Sequence, residues 1–310
     1  MTIFELLYSL AIDIRTKPEY RRLTKHHEPN IEKAEQDIQD AILQDVFPGE
    51  NTSSDWRIFR IFCFNYVNRA QAQISFRSQK NSDAVKMLLA AADNCCSDEE
   101  KIASVVSAAA RELSGRNREK MIAALTKLTA KEVLDELDGL SYLDWIKNRL
   151  SYWSSLQNVH QVNFNVLYED LLTLAHDRRR TKIVGMGIPL AANFFADCGL
   201  KAFVKPDLHV APISNLLTLS WDEKTAIKGI LEISKVESNE VLKNYKFEWL
   251  KEKNGLWPRY LDRVIYLIGS DSFTLDDKKA KKWAEYRRKL MRKTLIANQK
   301  INALYSRIGD

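Results

Sequence analysis

Glycine and proline are scarce, at ten and seven among 310 residues. Architectures built from many short strands need those residues at their turns. Their shortage therefore disfavours an all-β protein and suits helices. Cysteine is scarcer still. Cys63, Cys95, Cys96 and Cys198 form no Cys-x-x-Cys pair, and neighbouring Cys95 and Cys96 are poorly placed to bridge each other. That argues against a disulfide framework and supplies no cysteine set for zinc or an iron–sulfur cluster. Free thiols fit the cytoplasm. His26, His27, His160 and His176 show no metal-ligand spacing among themselves or with cysteine, so no metal site is expected. Long apolar runs are missing too. Nothing approaches the ~18 residues that a membrane-spanning helix needs, and no membrane partner is expected. The stretch Met1–Tyr20 lacks a basic leader and is interrupted by Glu5 and Asp13, which marks an amphipathic helix and not a signal peptide.

What is present is the composition of a folded helical protein. Hydrophobic residues make up 45% and charged residues 28%, enough for a sizeable core. The net charge of +6 fits a polyanionic partner, although basicity alone excludes little. Apolar spacing predicts helices over 31–45, 55–78, 83–93, 98–113, 117–127, 130–138, 142–157, 164–176, 221–235, 237–251, 257–269 and 275–306. Asp55 reads as an N-cap, Ser97 before three acids as another, and Thr129 with Val133 as a further start. Trp56, Phe59, Phe62, Phe64 and Tyr66 give one helix a dense aromatic face, and Trp257 and Tyr260 read as core anchors. The expectation is an all-α chain without repeats or a linker, divided into a 1–54 flank, a 55–215 core and a 216–310 C-terminal region.

The most informative stretch is Thr181-Lys182-Ile183-Val184-Gly185-Met186-Gly187-Ile188-Pro189-Leu190-Ala191. One helix is expected to end near Val184 and a second to begin near Ile188. Pro189 then falls in the first turn, where a missing N–H costs nothing. Glycines allow a turn closed to other residues, and the unpaired N–H groups of a turn and a helix start suit a phosphate. Arg178, Arg179, Arg180 and Lys182 add positive charge just upstream. Further on, Val204-Lys205-Pro206-Asp207-Leu208-His209 places a carboxylate at a loop-to-helix junction, because Pro206 keeps Lys205 out of helical geometry.

These residues resemble the helix-hairpin-helix DNA glycosylases. The likeness rests on Val184-Gly185-Met186-Gly187 with Ala191, followed at the family's spacing by Pro206-Asp207 and His209. It covers about thirty residues closely. The resemblance implies two helical lobes with a DNA cleft between them, and a 55–215 core that carries the hairpin. It gives Asp207 the role of stabilising an oxocarbenium-like sugar and helping to activate water. It assigns His209 to the DNA backbone, together with Gly185, Met186, Gly187, Pro189, Arg180, Lys182 and Lys205. It also implies a monovalent cation on hairpin carbonyls, double-stranded DNA as partner, and a monomer. Asn68, Gln71 and Gln73 fall where the family draws pocket or wedge residues. Pro189 stands where bifunctional members carry a nucleophilic lysine, so simple hydrolysis without lyase activity is expected. The base removed is open: oxidised, alkylated, or a hypermodified phage cytosine, which would make the enzyme antiviral.

Other readings stay open. The glycine pair also resembles a dinucleotide-binding loop, but Leu190 occupies the third glycine position. A plain interhelical turn, or a DNA-binding protein without catalysis, fits the same residues. Asp207 alone would most often be an N-cap. His209, Asn68, Gln71 and Gln73 would each most often be surface residues. Lys278–Lys293 holds nine basic residues against one acid, Glu285. It reads as a solvated face, a DNA contact or a membrane-surface helix.

Overall fold

The computed structural model describes residues 1–24, 27–44, 47, 54–71, 81–113, 118–206, 222–269 and 280–297. Among these the chain is all-helical. No strand forms, and an isolated antiparallel bridge joins Leu134 to Leu140. No described helix is long and apolar enough to cross a membrane. The helices are α1 (Ile3–Thr16), α2 (Ile31–Leu43), α3 (Asp55–Cys63), α4 (Asn81–Leu89), α5 (Asp98–Glu112), α6 (Arg118–Leu128), α7 (Tyr142–Ser155), α8 (Phe164–Ala175), α9 (Ile188–Asp197), α10 (Glu223–Val241), α11 (Glu248–Glu252), α12 (Pro258–Gly269) and α13 (Ala280–Ile296).

Two compact units divide the chain. One comprises Met1–Gln44, Gln157–Phe164 and Lys201–Asp310; the other comprises Asp45–Leu156 and Asn165–Leu200. The three-segment division read from sequence does not coincide with them, because residues at both ends of the chain belong to one unit.

The first unit is built round α1. A Thr2–Glu5 capping box starts this helix, and residues on nearly all its faces are buried, Phe4, Leu7 and Ile14 among them. Helices α2, α10, α12 and α13 pack against it. The sequence pattern breaks near 236, yet α10 runs unbroken through it. Glu237 and Ser238 are buried and partnered there. The Glu237 carboxylate accepts the Ile3 and Phe4 N–H groups at 2.6 and 3.0 Å, where the start of α1 has no partners of its own. Burial pushes this carboxyl from an ordinary 4.5 up to about 7, against the pull of those two N–H groups. The folded state therefore holds a proton that the unfolded chain releases between about pH 4.5 and 7. Stability should fall as pH rises through that window. Relative to Glu237→Gln, which cannot titrate, the wild-type protein is expected to lose on the order of 3 kcal/mol. Urea unfolding at pH 5 and pH 8 measures the difference.

Ser238 has a second task. Its Oγ accepts the Leu256 N–H at 3.1 Å. A Cβ added to Gly255, whose φ is +108°, would lie 2.7 Å from that oxygen. Gly255→Ala is expected to cost about 1–3 kcal/mol in backbone strain, plus the displaced hydrogen bond. A lowered urea midpoint checks it.

The basic helix α13 docks through Arg287, Met291 and Leu295, all buried at four-residue spacing, against α1 and α12. Its apolar stripe is thus already covered, which counts against a membrane-surface role. The buried Arg287 donates to the Leu23 carbonyl and Arg288 to that of Gly269, while Lys289, Arg292 and Lys293 are exposed.

The second unit is built round α3, where Ile58, Phe59, Ile61, Phe62 and Cys63 are all buried. Ser54, and not Asp55, is the N-cap: its side chain accepts the Arg57 N–H. Ser97 caps α5 with Glu100, as its sequence suggests. Beyond α3 the chain winds as a π-helix over Phe64–Gln71. No α-helix forms over 130–138, where the regular piece is a single 3-10 turn at Asp135–Leu137. Asp138 and Gly139 take left-handed angles and reverse the chain there, burying Leu134 and Leu137.

Candidate functional site

Helix α8 ends at Ala175 and not near Val184. The following residues turn back on its last turn. Thr181 Oγ1 donates to the Thr173 carbonyl at 2.7 Å, and the Ile183 N–H donates to that of Leu174 at 2.9 Å. Two carbonyls that the end of a helix leaves without partners are thereby supplied. The connection between α8 and α9 is consequently longer than the short hairpin expected.

The turn itself follows the sequence closely. Met186 N–H donates to the Ile183 carbonyl at 3.0 Å, Gly185 has φ +80°, Gly187 is the N-cap of α9, and Pro189 sits in its first turn. Met186 is 1% exposed. Its side chain anchors the turn and its N–H is engaged, so the expected Met186 contact with DNA is corrected. Phe194 and Phe195 are buried, with Phe194 edge-on to Phe62.

Five consecutive carbonyls here each receive a donor. Lys127 Nζ, at the end of α6, donates to the carbonyls of Arg180 at 2.7 Å and Lys182 at 2.8 Å. Tyr142 Oη donates to that of Thr181 at 2.9 Å. The Met186 N–H takes that of Ile183, and Tyr66 Oη, from the π-helix, takes that of Val184. A peptide unit is planar and trans, so its N–H points opposite to its C=O. With the Val184 carbonyl turned inward to buried Tyr66, the Gly185 N–H faces outward. The Gly185, Gly187 and Ile188 N–H groups donate to no acceptor among the described residues. Val184, Gly185 and Gly187 are exposed. The arrangement places the outward Gly185 N–H beside two further N–H groups without an internal acceptor at the start of a ten-residue helix, where an anion is favoured.

Arg180 is exposed and paired with Glu132 at 2.6 Å; Lys182 pairs with Asp177. The exposed Arg180 pair contributes ~0–1 kcal/mol, so a phosphate can displace it, whereas Lys182 is half-buried. Lys205 is half-buried. Asn68 and Gln71 lie on the π-helix, where their side chains are not described, and Gln73, Asp207 and His209 lie outside the described residues. The structure therefore brings together the glycine turn, Pro189, Arg180 and Lys182.

Sequence reading missed Lys127 and Tyr142 altogether and counted Tyr66 only as an aromatic core residue. No group of three or more histidine, cysteine or acidic residues that could hold a metal occurs among the described residues. The 180–184 carbonyls, where a monovalent cation is expected, each already receive a donor, and two of them converge on an ammonium. No strand leads into Gly185, the context that a dinucleotide loop requires. A separate cleft of about 670 Å³ is lined by Ile102, Val106 and Leu143 together with Asp55, Glu99, Asp144 and Lys131. Its acids suit a phosphate poorly. No family profile, curated protein or solved structure matches the chain.

Proposed function

We propose that the chain is a DNA glycosylase of the helix-hairpin-helix kind. It grips duplex DNA by a phosphodiester at the Gly185–Ile188 turn and hydrolyses the base–sugar bond of a flipped-out nucleotide. The observation that carries the reading is the inward Val184 carbonyl, which leaves the Gly185 N–H facing outward beside the start of α9. Contacts of this type hold a duplex without reading its sequence. Asp207 supplies negative charge opposite the sugar as positive charge develops, water is the nucleophile, and an abasic site remains. Pro189 leaves no lysine at the position from which an amine would attack, so strand cleavage requires added alkali.

The test uses labelled duplexes carrying oxidised, alkylated or hypermodified bases, incubated with the protein and then treated with or without hot alkali. Breaks that need alkali are the expected result. Binding without breaks on any duplex favours a noncatalytic DNA-binding protein. Breaks without alkali overturn the hydrolytic assignment.

A further inference from the structure

Resting on the hairpin as a phosphate grip, we infer that the Lys127 ammonium is this hairpin's own cation, tethered by a side chain. The turn then holds its shape and its anion without recruiting potassium or sodium. Nζ lies 2.7 and 2.8 Å from the carbonyl oxygens of Arg180 and Lys182, two residues apart, with Tyr142 Oη on the carbonyl between them. A loose cation bridging carbonyls would occupy this position. The ammonium supplies the same single charge, with N–H groups directed at the oxygens.

Its placement follows from the fold. Lys127 is in the last turn of α6, where cations are favoured. Its Nζ lies 5.8 Å from the centroid of the Tyr142 ring. Burial lowers its pKa, with Glu132 and Arg180 acting in opposite senses. The charge also lies behind a loop whose N–H groups face outward, so it adds to the field that a phosphate meets there.

The probe is a fluorescein-labelled duplex containing a tetrahydrofuran abasic-site analogue. Its affinity for the full chain is measured by anisotropy in potassium, sodium or tetramethylammonium chloride at one ionic strength. Fixing ionic strength holds the counterion term constant. Thermal unfolding is followed in the same three salts. The wild-type protein is expected to show the same affinity and Tm in all three. Lys127→Met keeps the apolar stem but loses the charge. In tetramethylammonium it is expected to bind about tenfold more weakly, equivalent to ~1.4 kcal/mol. Potassium or sodium should recover part of both affinity and Tm. Lys127→Arg should keep the wild-type indifference to the cation.

A wild-type protein that gains affinity or Tm specifically with potassium or sodium overturns the inference. So does a Lys127→Met variant indistinguishable from wild type in every salt. If the wild-type protein binds no duplex in any salt, the phosphate-grip reading fails by itself. The inference is then decided by Tm: a rise with potassium or sodium confined to Lys127→Met supports it, and no rise ends it.

Discussion

Asp207→Asn is expected to slow base release by about 10²–10³-fold, the usual loss when a charged or dipolar group facing a transition state is removed. The substitution separates two roles. Asparagine caps a helix about as well as aspartate, so an Asp207 that only starts a helix would tolerate it, with Tm and rate unchanged. A carboxylate facing a sugar cation would not, since the amide keeps the shape and loses the charge. Duplex affinity should change little, because the hairpin grip does not include Asp207. Single-turnover formation of alkali-labile sites, with protein in excess, isolates the chemical step. An unchanged rate removes Asp207 from the mechanism.

Asp170→Ala is expected to destabilise the protein by about 3–5 kcal/mol, the cost of leaving one partner of a buried ion pair alone. Asp170 lies on α8, the helix that leads to the hairpin, and its Oδ2 receives three donors from α7. They are Arg149 Nε at 2.8 Å, the second guanidinium nitrogen at 2.8 Å and Trp153 Nε1 at 2.6 Å. Burial pushes the Asp170 carboxyl up, and the indole N–H and guanidinium oppose it. The Arg149 guanidinium also lies 4.7 Å from the centroid of the Tyr152 ring. Removing the acid strands a cation that is largely withdrawn from water. The double substitution Asp170→Leu with Arg149→Met should recover much of the loss, because neither charge then remains buried. Urea unfolding of the two single variants and the double measures the coupling.

Local signals were legible where one side chain decides a structure. Ser97 and Glu100 read correctly as a cap, and Gly185, Gly187 and Pro189 read correctly as a turn leading into a helix. Reading failed where tertiary partners override the pattern. The helices expected over 221–235 and 237–251 are instead joined through 236, where Glu237 and Ser238 each meet a buried donor and α10 continues. The 130–138 segment has helical spacing, but Asp138 and Gly139 reverse the chain. At the candidate site the donors that orient the turn come from distant parts of the chain. Tyr66 lies 118 positions from Val184, and Lys127 lies 53 from Arg180. No pattern within a window of sequence links them.

The wide winding of Phe64–Gln71 has a consequence for which changes this chain tolerates. A π turn holds about one residue more than an α turn. Deleting Phe64 would let ordinary winding resume, but it would turn the side chains just after it, Asn65 and Tyr66, by tens of degrees about the axis. The Tyr66 hydroxyl would swing off the Val184 oxygen, and buried Asn65 would leave Asn193. Length is thus constrained in this stretch as tightly as residue identity, whereas a surface loop accepts an added or missing residue with little penalty.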